Sequence, residues 1–347
     1  MFNRLIERGY RVRPATLDDI EDAAALFSAY SMRVHGTESA FASRIRTEWT
    51  TPGFDLETDT RLVLDADGQI AGYVEVWDVE EPHVRIRSWG RVHPDHWVRG
   101  IGSVLLEWSE QRAREAIPHA PLEARVTIGQ GVPAVDEDAC RLLAERGYGL
   151  VRHFLRMVRE LDGPVPEPAW PARIEVRTLD PGSDLEATVR VCREAFRDHW
   201  GHVEGSFEQD LEQWKHWIAE DEDFDPQLTF LAREGGEIVG VASCDPKSGE
   251  DPQMGWVDIL AVRKRWRRRG IALALLLHSF RDLSRRGKLR VGLGVDAGSL
   301  TGATLLYDRA GMRAVRRTCL YEKELRPGVD LSRRSLDEDE GSGSPPN

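Results

Sequence analysis

A short arginine- and glycine-rich segment carries the most informative pattern in this sequence. It consists of six consecutive residues: Arg267, Arg268, Arg269, Gly270, Ile271 and Ala272. The segment lies between a predicted strand and an apolar predicted helix, so its backbone N–H groups converge beside the positive end of the helix dipole. Gly270 permits a ligand to approach the backbone closely. The pattern predicts a pyrophosphate-binding loop, and the alternative is a basic turn on a solvated surface.

The elements that would hold this loop occur twice in the chain. Four matches run in the same order through both halves: Val12 with Val176, 69–74 with 237–242, 92–102 with 262–272, and 139–147 with 303–311. Self-similarity of this kind is the signature of a repeated structural unit. The chain is therefore predicted to fold as two homologous lobes.

Composition places the boundaries of the two lobes. Four prolines among residues 162–171 disfavour regular hydrogen-bonded structure, so 162–172 is predicted to be a linker between lobes 1–161 and 173–326. Residues 327–347 lack hydrophobic periodicity and contain few apolar side chains, which predicts a disordered acidic tail.

Strand and helix patterns alternate within the second lobe. Strands are predicted at 174–177, 228–233, 237–243, 256–262, 289–295 and 314–323, and helices at 184–196, 269–284 and 301–310. This order predicts an α/β (α+β) fold in which each lobe is a mixed, mostly antiparallel sheet flanked by helices.

The loop and its neighbouring elements resemble the GNAT superfamily of acyl-CoA-dependent N-acetyltransferases. The family signature is Arg or Gln, two residues, Gly, any residue, then Gly or Ala, and residues 267–272 satisfy it. The resemblance implies that acetyl-CoA is the cosubstrate, with its pyrophosphate on this loop. Its pantetheine would lie along the strand that ends with Leu260, Ala261 and Val262, in a split between two strands. Ser299 stands near the cofactor where an Asn is common in the family.

The resemblance also implies a general acid. A tyrosine in the last helix of the family protonates the departing thiolate, and Tyr307 matches it. A general base is proposed from the residues themselves: Asp258 lies on the strand expected to line the cleft, with Trp256 and Leu260 on the same face. A β-bulge would change that facing, and the alternative role for Asp258 is a structural ion pair. For Tyr307 the alternative is an amphipathic core side chain.

Acceptor recognition is assigned to the segment that follows the first helix of the second lobe. His199 and Trp200 are the candidates there, because an aromatic side chain can contact an apolar or cationic acceptor. The tandem arrangement is similar to that of the mycothiol synthases, and Asp225 lies in a segment that resembles one of theirs. That likeness implies acetylation of a cysteinyl pseudodisaccharide as an alternative to another small-molecule amine.

The first lobe departs from the family pattern. Gly100 and Gly102 match the signature, but Trp97 occupies the position of the Arg or Gln, and Leu143 occupies the position of Tyr307. A leucine cannot protonate a thiolate. We interpret this lobe as a degenerate copy that supports the second, with nucleotide binding at its glycines left open.

Composition narrows the remaining function classes. The chain has 347 residues, a net charge of −12, and no apolar run near the about 20 residues of a membrane span. Its first ten residues lack the apolar core of a signal peptide, which favours a cytoplasmic location. Its four cysteines are widely spaced, which argues against a disulfide framework. No metal-binding spacing occurs. Two alternative functions stay open. The protein could be a catalytically inactive acyl-CoA sensor, or it could bind nucleic acid through the basic run 263–269, although the net negative charge of the chain argues against nucleic-acid binding.

Overall fold

The computed structural model describes residues 1–38 and 42–335. Over these residues the strands are β1 (Arg11–Arg13), β2 (Thr60–Leu64), β3 (Ile70–Trp77), β4 (Arg85–Val92), β5 (Val126–Pro133), β6 (Gly149–Glu160), β7 (Ile174–Thr178), β8 (Thr229–Glu234), β9 (Glu237–Asp245), β10 (Met254–Val262), β11 (Arg290–Asp296) and β12 (Arg313–Arg326). The helices are α1 (Asn3–Ile6), α2 (Ile20–His35), α3 (Ala42–Trp49), α4 (Leu56–Asp59), α5 (Ile101–Arg114), α6 (Glu137–Glu145), α7 (Pro181–Phe196), α8 (Phe207–Glu220), α9 (Ile271–Arg285) and α10 (Ala303–Arg309).

The two lobes share one continuous 12-stranded sheet. Its strand order is β1-β2-β3-β4-β5-β12-β6-β11-β10-β9-β8-β7. Only the β4–β5 and β10–β11 pairs are parallel among these strands. The predicted mixed, mostly antiparallel sheet is therefore confirmed, as is the predicted α/β class with helices flanking the sheet.

The lobes exchange their last strands. β6, which the first half of the chain supplies, pairs with β11 of the second lobe from Arg290↔Glu160 to Asp296↔Phe154. β12, which ends the second half, pairs with β5 of the first lobe. The repeat in the sequence predicts two lobes but contains no sign of this exchange, because each half has a complete set of strand patterns.

Each lobe has an apolar core beneath the helix that follows the glycine loop. Ile101, Leu105 and Leu106 of α5 are buried against strands of the first lobe. Ile271 and Leu275 of α9 are buried in the same way in the second lobe. The two helices thereby fix the loops at their N-termini to the sheet.

The segments predicted as linker and tail are packed in part. Val165 is buried in the second-lobe core. Residues 327–335, predicted to be disordered, lie against the first lobe instead: the Val329 N–H donates to Glu123 O (2.7 Å), and Val329 O accepts from Arg125 N (2.8 Å). These backbone bonds form an isolated parallel bridge between Ala124 and Val329, just beyond the end of β12. Residues 336–347 of the predicted tail lie outside the described residues.

Among the described helices, none is both long and apolar enough to cross a membrane.

Candidate functional site

The loop before α9 presents a row of backbone donors. Arg268 and Gly270 both adopt left-handed φ angles, 62° and 87°. The N–H groups of residues 268–273 have no hydrogen-bond acceptor among the described residues, whereas the next one, Ala274 N–H, donates to Gly270 O. Six successive free donors at a helix N-terminus form an anion-binding cradle. This geometry is compatible with a bound pyrophosphate, and the cofactor role of Gly270, Ile271 and Ala272 stays a prediction.

The arginine side chains of the loop divide into two groups. Arg267 donates from Nε to Val262 O (3.1 Å) and from Nη2 to Ala195 O (2.9 Å), and it pairs with Asp198. Arg269 pairs with Glu234 at 2.8 Å. These two side chains tie the loop to the lobe, so they are positioning residues. Arg268 is exposed and forms no ion pair within the part of the chain that is described.

The strand before the loop separates from its parallel neighbour. β10 pairs with β11 only from Met254 to Trp256. Beyond Trp256 it pairs with β9 alone, so the edge of Leu260, Ala261 and Val262 that faces away from β9 has no strand partner among the described strands. This split places an open strand edge beside the loop, as expected for pantetheine binding.

A β-bulge lies at the start of the split, at Asp258. Val257 is opposite Cys244 and Ile259 is opposite Ser243, so Asp258 is an extra residue in β10. In the first lobe, Ser88 and Trp89 are opposite Val76 and Glu75 without interruption. The second lobe alone therefore has the bulge, which bends a strand and re-aims its backbone and side chains. The alternation of side chains along β10 therefore cannot be used to place Asp258 on the same face of the sheet as Trp256.

Asp258 belongs to a group of charges that includes residues the sequence analysis missed. The Asp258 side chain reaches solvent, yet desolvation by the surrounding protein raises its pKa. The positive charge of Arg44 lowers this pKa, and the negative charge of Asp221 raises it further. Burial and the charge of Asp258 raise the pKa of Asp245 to about 7, again against Arg44. Asp245 ends β9 and Arg44 comes from α3 of the first lobe. No short-range pattern links them to Asp258.

The predicted general acid is buried with its hydroxyl unpaired. Tyr307 is 8% exposed within the second-lobe core. Its phenol forms no hydrogen bond with any described residue, and burial raises its pKa to about 12. The hydroxyl therefore keeps its proton at neutral pH and has a free donor. Leu143, its counterpart, is 2% exposed in the first-lobe core.

The two predicted acceptor residues, His199 and Trp200, have different surroundings. His199 lies near Arg267 and Asp296 at the C-terminal ends of the splayed strands, and burial lowers its pKa, with Arg267 acting in the same direction. Trp200 instead contacts three guanidinium groups, those of Arg85, Arg152 and Arg334. Its ring connects the two lobes and the C-terminal segment.

Asp225 and Ser299 take part in local structure. Asp225 accepts from Gln227 N and pairs with Arg286 at 2.6 Å, at the end of α9 remote from Gly270. Ser299 Oγ accepts from Ala303 N at 3.4 Å, in the first turn of α10. Their polar atoms stabilise these turns, and Asp225 is separated from the loop by the length of α9.

A cavity of about 300 Å³ lies beside the bulged strand. Ile259 of β10, Phe196 of α7 and Trp214 of α8 contribute to its wall, together with Glu80 and Glu81 of the first lobe.

Burial raises the pKa of Cys244 to about 12, so this thiol stays protonated and is a poor nucleophile. Within the described residues, no group of three or more His, Cys, Asp or Glu side chains could hold a metal ion.

The first lobe keeps the loop geometry and the split, since β4 pairs with β5 only from Arg85 to Ser88, but it lacks the bulge and the tyrosine. Val98 and Gly100 have φ angles of 60° and 85°. Trp97 donates from Nε1 to Val92 O at 2.9 Å, as Arg267 donates to Val262 O. The departure from the family signature at Trp97 therefore preserves the loop.

Comparison with known proteins gives matches over both lobes. The acetyltransferase (GNAT) family matches residues 23–148 and 190–312. A mycothiol acetyltransferase from Thermobispora bispora is 31% identical over 256 residues, which cover 72% of this chain and 78% of that protein. The one from Streptomyces coelicolor is 29% identical over 315 residues, covering 87% and 91%.

Solved structures give the same result. A GCN5-related N-acetyltransferase from Sphaerobacter thermophilus has a TM-score of 0.75 at 36% identity, covering 94% of this chain and 98% of that one. A tandem GNAT protein from the clavulanic acid biosynthesis pathway has a TM-score of 0.71 at 16% identity, covering 92% and 100%, and this likeness concerns the fold alone. The predicted resemblance to tandem GNAT proteins is confirmed.

Proposed function

The chain belongs to the acetyltransferase (GNAT) family, and we propose that it transfers an acetyl group from acetyl-CoA to a primary amine of a small molecule, in its second lobe. The observation that carries the proposal is the contrast between the lobes. Both have the glycine loop, but only the second combines it with a bulged strand bearing Asp258 and with the unpaired phenol of Tyr307.

The second lobe has the groups needed to hold the cosubstrate. The free N–H groups of residues 268–273 would bind the pyrophosphate, and Arg268 would add a positive charge. The open edge of β10 from Leu260 to Val262 would hydrogen-bond the pantetheine amides. Acetyl-CoA, when bound, supplies a thioester that an amine can attack.

Proton transfer would use two groups at the split. Asp258 would accept a proton from the acceptor amine, directly or through water, and its raised pKa brings it closer to neutral pH. Tyr307 would donate its proton to the leaving sulfur. Direct attack by the amine agrees with the high pKa of Cys244, which argues against an acyl-cysteine intermediate.

The acceptor is proposed to be small. The cavity beside Ile259 has a volume of about 300 Å³ and a mixed wall, in which Phe196 and Trp214 stand beside the carboxylates of Glu80, Glu81 and Asp210, and this combination suits a compact amine. The relatives named mycothiol acetyltransferase support a cysteinyl amine as one candidate within this class. The basic run 263–269 is better explained by the fold than by nucleic acid, because Arg263, Arg267 and Arg269 pair with acidic side chains.

The proposal is tested by replacing the general acid. Tyr307→Phe keeps the ring and removes the proton donor, so we expect kcat to fall by about 10²- to 10⁴-fold while acetyl-CoA affinity is nearly unchanged. Amine-dependent release of the CoA thiol and mass spectrometry of the product, over a panel that includes a cysteinyl amine, provide the measurement. Tyr148→Phe, at a buried tyrosine of the first-lobe core, is the matched control and should keep normal turnover.

Two results would contradict the proposal. Normal turnover in folded Tyr307→Phe protein would exclude Tyr307 as the general acid and remove part of the contrast between the lobes that carries the proposal. Acetyl-CoA binding without thiol release for any amine in the wild-type protein would favour a sensor instead.

A further inference from the structure

A larger cavity lies in the first lobe and adjoins the cavity beside Ile259, with which it shares Glu80 and Glu81. Its volume is about 800 Å³. Strands β3, β4 and β5 form its floor, and Trp217 of α8 and residues 201–203 close it from the second lobe. A cavity of this size matches those that bind small molecules.

A buried carboxylate lines this cavity. Glu75 is 6% exposed, and its oxygens accept hydrogen bonds from Tyr73 Oη (2.5 Å) and Trp77 Nε1 (2.8 Å). Trp49 Nε1 in turn donates to the Tyr73 oxygen at 2.9 Å. Neutral donors therefore fix the carboxylate in place, while each oxygen keeps a second lone pair.

Glu75 forms no ion pair within the described part of the chain, although the charges of Arg87 and Arg91 act on it at longer range. The arginines that line the cavity are paired with other carboxylates: Arg44 with Glu48, Arg85 with Glu322, and Arg87 with Glu80. Burial raises the pKa of Glu75 well above its usual range, and the charge of Glu48 acts in the same direction. A carboxylate buried without a cation is costly, and a cationic ligand would remove that cost.

Two glycines leave room for such a ligand. Gly129 and Gly131 lie mid-strand in β5, line the cavity, and have no left-handed φ angle that would require glycine. Such glycines often mark the close approach of another group. At the equivalent site of the second lobe the indole of Trp256 covers Gly292, 2.7 Å from the position of a Cβ. The open volume is therefore a feature of the first lobe.

We propose that the first-lobe cavity binds a small primary amine in its ammonium form, with Glu75 as the counter-ion. The ammonium N–H groups would donate to the free lone pairs of Glu75. The aromatic wall, which includes Phe27, Trp89 and the half-exposed Trp217, would contact the apolar body of the amine. Glu75 itself does not line the acceptor cavity beside Ile259, although the two cavities adjoin and share Glu80 and Glu81.

Calorimetry without acetyl-CoA tests this site. Two ammonium probes, 2-phenylethylammonium and hexylammonium, are compared with the neutral 2-phenylethanol. Glu75→Gln keeps the size of the side chain and removes its charge, so we expect ammonium affinity to fall by about tenfold or more. Glu212→Gln, at an exposed carboxylate of α8 that lines neither cavity, is the matched control and should bind normally.

A second variant fills the cavity and leaves Glu75 in place. A Cβ at Gly129 would meet Leu320 Cδ1 at 3.7 Å, an ordinary contact, so Gly129→Leu should fold and still lose ammonium binding. Equal affinity for the alcohol, unchanged binding in both variants, or no ammonium binding by the wild type below about 10 mM would overturn the proposal. Acetyl transfer, assayed separately, should persist in both variants, so failure of the catalytic proposal is distinguishable.

Discussion

Arg44 connects the first lobe electrostatically to the proposed base. Its charge lowers the pKa of both Asp245 and Asp258, which other effects raise. Arg44→Gln should therefore raise both pKa values further. Because the base acts only when deprotonated, the acidic limb of the pH profile of kcat/KM should move to higher pH.

The measurement is the pH profile of kcat/KM at low and high salt. Arg46→Gln, at an exposed arginine of the same helix, provides the control, because Arg44 and not Arg46 acts on the pKa values of Asp245 and Asp258. High salt should reduce the displacement for Arg44→Gln, since exposed charges are screened. A displacement to lower pH, or an equal one in Arg46→Gln, would contradict the assignment.

Single residues could be predicted where local pattern determines their environment. Gly270 follows from its position between strand and helix, and its φ of 87° explains the residue type. Trp97 looked like a loss of function, yet its indole replaces the Arg267 guanidinium in the bond to the preceding strand. Arg44 could not be found, because it comes from the first lobe and is distant from Asp258 in sequence. Asp245 lies in the neighbouring strand β9, but its position relative to Asp258 depends on the bulge, which no sequence pattern indicates.

The bulge in β10 is the element that distinguishes the two lobes. Deleting Asp258 would leave Val257 and Ile259 adjacent and opposite Cys244 and Ser243, the uninterrupted register found between β3 and β4. The faces of the flanking side chains are preserved, so the deletion variant should fold. We expect it to lose both turnover and most acetyl-CoA affinity, because the split would no longer open in the same way.

Asp258→Ala separates the carboxylate from the bulge. This variant keeps the extra residue, so acetyl-CoA affinity should persist while turnover falls by about 10²-fold or more. Calorimetry with acetyl-CoA and steady-state kinetics, with melting temperatures to verify folding, give the comparison. If the deletion variant binds acetyl-CoA as tightly as the wild type, the bulge has no part in the site.

Most elements of the second lobe could be read from hydrophobic periodicity. The helix predicted at 269–284 is found at Ile271–Arg285, and the strand predicted at 256–262 is found at Met254–Val262. Helix α8 has no range among the predicted elements, although the spacing of Trp214 and Trp217 is compatible with one face of a helix. No side chain within it is fully buried. Its Trp214 and Trp217 line two different cavities, which no helical pattern indicates.

The exchange of β6 and β12 makes the two lobes one folding unit. β12 runs between β5 and β6, and β6 runs between β12 and β11. Each lobe thus obtains a central strand from the other half of the chain. The sequence repeat predicted the boundary between the two lobes. It could not predict which strands of one lobe pair with strands of the other, because that depends on the register and position of the strands in the folded sheet.

Cutting the chain tests this organisation. A break after Asp162, which is exposed, leaves both exchanged strands intact, so co-expressed fragments 1–162 and 163–347 should copurify and melt in one transition. Fragment 163–347 alone lacks the neighbour of β11 and should be unfolded or aggregated, because it exposes a long strand edge and apolar core. Fragment 149–347, which restores β6, should be more soluble and bind acetyl-CoA. If 163–347 alone is as stable and as competent in acetyl-CoA binding as 149–347, the exchanged strand is dispensable and the two lobes fold independently.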